Sequence, residues 1–203
     1  MGDDPVRKPG APTVEPGRRV PSTPPGDGDW PGQATVEAIH RAYGVARWGP
    51  MLIVVWNGAV RGARIEPVIA AARENCQRYP DGGGLTLIVG ENTGLPDATA
   101  RDITSEALSE LGGYIHSAAI VIDWDGFRAA TARSAVSTMF FATGRRLTMR
   151  VFKNLEEATA WQAETVRCDP PFAAERYLRV VQQVRRQQAE HRTSTPPAGG
   201  GHS

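Results

Sequence analysis

Cysteine is scarce in this sequence: Cys76 and Cys168 are the only two in 203 residues. Two thiols cannot build a disulfide framework, and their spacing matches no metal-ligand pattern. Histidine is nearly as sparse, and none of His40, His116, His191 and His202 stands at ligand spacing from another histidine or a cysteine. No charge of one sign is in excess, since the formal net charge is +1. Wholesale electrostatic binding to nucleic acid or to an anionic membrane therefore has no driving force. Long hydrophobic runs are missing as well. The longest, Met51–Trp56, is far shorter than the roughly 20 residues of a membrane-spanning helix. No apolar stretch follows Met1-Gly2-Asp3-Asp4-Pro5, and Val6 stands where myristoylation wants a hydroxyl residue. The expected setting is the cytoplasm, with reduced thiols. No Gly-x-Ser-x-Gly nucleophile motif occurs. Gly82-Gly83-Gly84 precedes a strand and has no following lysine and helix, so it reads as a turn rather than a phosphate cradle. No catalytic residue and no cofactor are expected.

Glycine and proline are abundant, at 22 and 16 residues, and they crowd the two ends. Residues 1–33 are interrupted by prolines from Pro5 to Pro31 and cannot bury enough apolar area to offset ordering entropy of about 1–2 kcal/mol per residue. Residues 193–203 read the same way. The expected organisation is a disordered tail over 1–33, an α/β domain over 34–166, a basic amphipathic helix over 167–192 and a second tail over 193–203.

Within the domain, the apolar pattern alternates between two periods. Ala34 to Trp48 is β-prone and fits one edge strand, and Gly49-Pro50 signals a turn. Met51–Trp56 is a continuous apolar run bounded by turns, as a strand buried on both faces would be. Pro67 suits a first helical position, ahead of Ile69, Ala72, Cys76 and Tyr79 at helical spacing. Leu85 to Val89 and Ala118 to Ile122 read as further buried strands. Between them, Asp97 caps a helix with Ile103, Ala107, Leu108 and Leu111 inside, and Gly112-Gly113 closes it. His116 is expected at the end of that helix. Phe127 to Thr143 reads as a helix of small and apolar residues, and Leu147 to Phe152 as a wetter edge strand. Asn154 and Glu157 form a capping-box-like start for a helix carrying Leu155, Ala158 and Trp161. Such alternation implies a mixed, mostly parallel five-stranded sheet with right-handed crossovers and covering helices.

This order of elements resembles the STAS domain, the fold of bacterial anti-sigma-factor antagonists. The resemblance rests on Trp56-Asn57-Gly58 closing a strand and on the joint Val151-Phe152-Lys153-Asn154-Leu155-Glu156-Glu157-Ala158, and it covers about residues 34–166. It implies a signalling domain that binds a partner protein. In that family, a serine in an Asp-Ser-Ser-Gly turn at the start of a helix is phosphorylated. Asp97-Ala98-Thr99-Ala100 occupies that place here. Asp97 is retained, Ala98 stands at the serine position without a hydroxyl, and Thr99 lies one residue on. The resemblance carries over the fold and partner binding, but not the switch.

Other candidates are weighed against simpler roles. Glu91, Asp123 and Asp125 fall in loops after buried strands, where α/β sheets place ligands, and three carboxylates could hold Mg²⁺ for phosphoryl transfer. Their spacing echoes toprim-type nucleic-acid enzymes, although Asp and Gly commonly finish strands and cap helices. The Phe127–Phe141 helix could line a cleft for a small apolar ligand, with ordinary core packing the simpler role. Arg176, Arg179, Arg185 and Arg186 give the last helix a basic surface for a partner, while Tyr177, Val181 and Val184 form a stripe that would dock on the domain. Arg145, Arg146 and Arg150 would guard an exposed strand edge. Cys76 faces inward, and Cys168 is the thiol more open to reaction. The leading expectation is a non-catalytic regulatory or scaffold domain that binds a protein partner or itself.

Overall fold

The computed structural model describes residues 32–126, 129–134, 147–168 and 171–194. Nearly all of both expected tails, most of the Phe127–Thr143 helix and the Arg145-Arg146 pair lie outside the described residues. The chain builds an α/β structure on one sheet of six strands that neighbour one another in chain order. These are β1 (Thr35–Ile39), β2 (Tyr43–Trp48), β3 (Met51–Trp56), β4 (Gly83–Val89), β5 (Ile115–Val121) and β6 (Thr148–Phe152). The β1–β2 and β2–β3 pairs are antiparallel, and the three later pairs are parallel.

The sheet has six strands where the sequence predicted five, because Ala34–Trp48 is a hairpin and not a single strand. His40 and Tyr43 exchange backbone hydrogen bonds of 2.8 and 3.2 Å across the turn. No Gly-Pro pair marks that break, so periodicity runs through it unseen. Gly44, which looked like an interruption, lies inside β2 beneath Gln188. β2 is buried along its whole length, and β1 takes the edge. The next turn was legible: Gly49, at a φ of 54°, joins Trp48 to its partner Met51.

Among the described residues four helices surround the sheet, with a further helical stretch over 129–134: α1 (Gly62–Arg78), α2 (Ala98–Leu111), α3 (Leu155–Thr165) and α4 (Ala174–Ser194). Pro67 is the sixth residue of α1 and not its first, because the chain enters the helix early at Gly62. A Cβ at Gly62 would sit 2.5 Å from Thr99 Cγ2, so only glycine lets the starts of α1 and α2 approach so closely. Two further expectations fail at β4 and β5. Gly83 and Gly84 belong to β4, and His116 lies in β5 instead of closing α2.

The two faces of the sheet are covered by different helices. Leu52, Val54 and Trp56 of β3 pack with Ile65, Ala72 and Cys76 of α1. Ile120 and Ile122 point to this same face, against Ala129 and Ala132. The alternate residues Met51, Ile53 and Val55 meet Tyr177, Val181 and Val184 of α4 on the opposite face, where α3 also lies. The period of two along each strand therefore feeds two cores at once. Trp48 stacks on Tyr177 at 5.3 Å, and Phe172 packs edge-on against both rings. Buried polar groups on this face are matched: Tyr177 Oη and Thr86 Oγ1 lie 2.8 Å apart, and Gln162 accepts from Ser117 while donating to the Leu85 carbonyl.

Candidate functional site

The carboxyl ends of the parallel strands gather two distinct surfaces. At the first, the loops after β3 and β4 are laced together. Thr93 Oγ1 donates to the Trp56 carbonyl at 3.0 Å, and Asn92 Nδ2 donates to Asn57 Oδ1 at 3.3 Å. The Asp97 amide donates to the Val60 carbonyl, and Asp97 Oδ1 accepts the Ala100 amide at 2.8 Å, capping α2 as its sequence position predicted. Arg101 donates to the Pro96 carbonyl at 2.9 Å. Ala98 and Thr99 are exposed on the first turn. Leu95, at the crest of this pinned loop, is 82% exposed.

At the second surface, the chain leaves adjacent strands toward opposite faces. β5 leads to the stretch over 129–134 on the α1 face, whereas β6 leads directly into α3 on the α4 face. Such a divergence opens a crevice between the two strand ends. Arg133 fixes one wall by donating to the carbonyls of Ile122 and Trp124, and Trp124 Nε1 donates to the Val89 carbonyl. Asp123, held between those two clamped carbonyls, turns to the other face and pairs with Arg185 of α4. The opposite wall is the start of α3, where Asn154 accepts the Glu157 amide at 2.8 Å and its side-chain nitrogen donates to Glu157 Oε1. The resulting cleft is about 410 Å³ and is lined by Asp123, Lys153, Asn154, Leu155, Glu156, Gln182, Arg185 and Arg186.

The predicted site residues are distributed unevenly over these surfaces. Asp97, Ala98 and Thr99 stand together at the first. Arg185 and Arg186 meet Asp123 at the second, while Arg179 is exposed on α4 and Arg176 is half-buried. Glu91, Asp123 and Asp125 do not assemble a metal site: among the described residues no three His, Cys, Asp or Glu side chains come close enough to hold an ion. Glu91 and Asp125 are exposed on separate loops, and Asp123 is engaged by an arginine. For an apolar ligand, the space between α1 and the sheet is about 10 Å³, room for about one water. Residues 127–128 and 135–141 of the Phe127–Phe141 helix expected to line such a cleft lie outside the described residues. Arg150 lies over the rings of Phe152 and Trp161, at 5.7 and 5.9 Å. Cys76 is buried, and burial first, then Glu110, pushes its thiol up to about 11, so it stays protonated and inert.

Leu95, Lys153, Gln182 and Arg133 were not singled out from the sequence. Lys153 carried one available signal, as a cation immediately before a cap at the end of a parallel strand. Nothing local marks Leu95, because exposure is a property of the folded loop. No family model, no curated protein and no solved structure matches the chain. Among the described residues, no helix is long and apolar enough to cross a membrane.

Proposed function

We propose that this chain is a STAS-like regulatory domain without a catalytic centre, and that it acts by binding a protein partner through the loop entering α2. The observation that carries this reading is Leu95, 82% exposed on a loop whose backbone is tied down on both sides. An apolar side chain on a fixed backbone adds little backbone entropy cost on docking, which favours it as an interface anchor. The reading draws support from the sheet order: β3, β4, β5 and β6 advance one strand at a time, and the right-handed crossovers usual for parallel strands would stack α1 and α2 on one face. The STAS resemblance places its switch turn at Asp97–Ala98–Thr99, beside Leu95. Ala98 offers no hydroxyl there, and the Thr99 methyl packs against Gly62. Partner binding in this reading is therefore constitutive, set by shape and apolar contact rather than by phosphorylation.

The test is capture from the native host with wild-type chain, Leu95→Asp and Val36→Asp, followed by reconstitution with the purified partner. Val36 is an exposed apolar residue on β1, at the far edge of the sheet. The expected outcome is a partner, or a second copy of the chain, held by wild type and Val36→Asp and weakened about tenfold or more by Leu95→Asp. Equal retention by all three proteins removes the loop from the interface. A chain that light scattering and capture find only as free monomer contradicts the binding role itself.

A further inference from the structure

The cleft between the carboxyl ends of β5 and β6 is a second site, independent of the Leu95 loop. We infer that it binds a small phosphorylated metabolite of the sugar-phosphate class, with the phosphate between Lys153 and Arg186 at the amino end of α3.

Three features of the cleft converge on this ligand. The fold opens the crevice at the one place among the described residues where successive parallel strands send their chains to opposite faces. Its volume of about 410 Å³ lies within the roughly 300–1,000 Å³ of small-molecule sites. Its charges are unevenly matched. Arg185 is paired with Asp123, but neither Lys153 nor Arg186 has a carboxylate partner among the described residues. Both line the cleft, so an anion entering it meets two uncommitted cations.

The amino end of α3 adds to this attraction. Asn154 satisfies the Glu157 amide, while the amides of Leu155 and Glu156 have no intrahelical acceptor and present a partial positive charge. Two carboxylates also line the cleft: Asp123 is paired with Arg185, and Glu156, without an ion-pair partner among the described residues, opposes an anion there. The Asp123–Arg185 pair joins α4 to the β5 loop within the cleft and so ties the Arg186 wall to the strand ends.

The lining also selects what the phosphate is attached to. Among the described residues no aromatic ring borders the cleft, so this lining offers no stacking platform for a base. Gln182 offers an amide group that suits hydroxyls. A short polyol or sugar fits this wall better than a nucleoside or an acyl chain.

The experiment is titration of the full chain at low ionic strength with ribose 5-phosphate, inorganic phosphate and free ribose, read by calorimetry and by protein-observed NMR. The expected result is saturable binding of ribose 5-phosphate, weaker binding of inorganic phosphate and none of ribose. Lys153→Gln with Arg186→Gln should weaken the sugar phosphate about tenfold or more, since charge-assisted hydrogen bonds are lost. Glu156→Gln should tighten it about two- to threefold by removing a like charge, an effect that a purely structural role for this exposed residue would not produce. Arg179→Gln, a charge change outside the cleft, should leave it unchanged. The inference is overturned if neither phosphate binds saturably, or if Arg179→Gln weakens binding as much as the cleft variants. Inorganic phosphate binding as tightly as ribose 5-phosphate would likewise overturn the assignment to a metabolite. The readout needs no partner protein, so its failure leaves the Leu95 reading standing.

Discussion

His40 shows how one side chain carries the consequences of its surroundings. Its Nδ1 accepts the Ala42 amide at 3.0 Å, and its ring stacks on Tyr43, which stacks in turn on Trp56. An imidazole accepting at Nδ1 is neutral, with its proton on Nε2. Burial above all, then the positive surroundings of Arg64, His191 and Arg41, lowers its pKa below the ordinary 6.5. The unfolded chain thus takes up this proton at higher pH than the folded one, so acid favours unfolding. The contribution is complete above about pH 6.5 and is lost as pH falls below it. Urea midpoints measured at about pH 7.5 and 5 should therefore drop more for wild type than for His40→Gln, which has no titrating group at position 40. Parallel drops in the two proteins would show that the ring does not sense its surroundings. Little of this could be read from the sequence, where His40 is a lone histidine in a β-prone run. Asp97 was legible because a cap is a local event: the side chain and the amide it accepts lie three residues apart. Leu95 was not, since nothing within a few residues states that its side chain finds no cover.

At the scale of elements, the segments whose signal is local were read correctly, and those decided by neighbours were not. Met51–Trp56, Leu85–Val89 and Ala118–Ile122 are apolar because helices cover both faces, and a short unbroken run records that burial directly. The Asn154–Glu157 capping box likewise forms within one turn. The hairpin break at His40–Ala42 depends instead on α4. Gln188 donates to the carbonyls of His40 and Arg41 from almost 150 residues away in sequence. The last helix was set apart from the 34–166 domain, although its Tyr177, Val181 and Val184 stripe, legible at helical spacing, was expected to dock on it. In the fold, Tyr177, Val180, Val181 and Val184 are all buried. Tyr177 is the anchor of this helix, fully buried between Trp48 and the Thr86 hydroxyl. Tyr177→Phe should keep the packing but orphan the Thr86 hydroxyl, lowering stability by about 1–2 kcal/mol. Tyr177→Ala also opens a cavity and should cost about 3–5 kcal/mol. Equilibrium urea unfolding separates the two. A Tyr177→Ala variant as stable as wild type would mean that α4 does not close the core.

For the molecule as a whole, the one-directional strand order and the crossing of α3 and α4 to the second face produce the arrangement on which both proposed surfaces depend. Stacking the early helices on one face puts the α1 and α2 starts side by side and raises Leu95 above them. Sending the chain to the other face after β6 opens the Lys153 cleft, and α4 supplies its outer wall. The second step was hidden from a reading of 34–166 as a self-contained unit, because Arg185 and Arg186 approach Asp123 only when α4 is seated on β2 and β3. Native-state amide hydrogen exchange tests this seating most directly. If α4 is part of the one cooperative core, the amides of Val180, Val181 and Val184 exchange only through global unfolding, at rates within about tenfold of those of Ile53 in β3 and Ile120 in β5. Amides in α4 exchanging about 100-fold faster than a slow sheet would contradict it, since a helix that opens on its own cannot hold the cleft in shape.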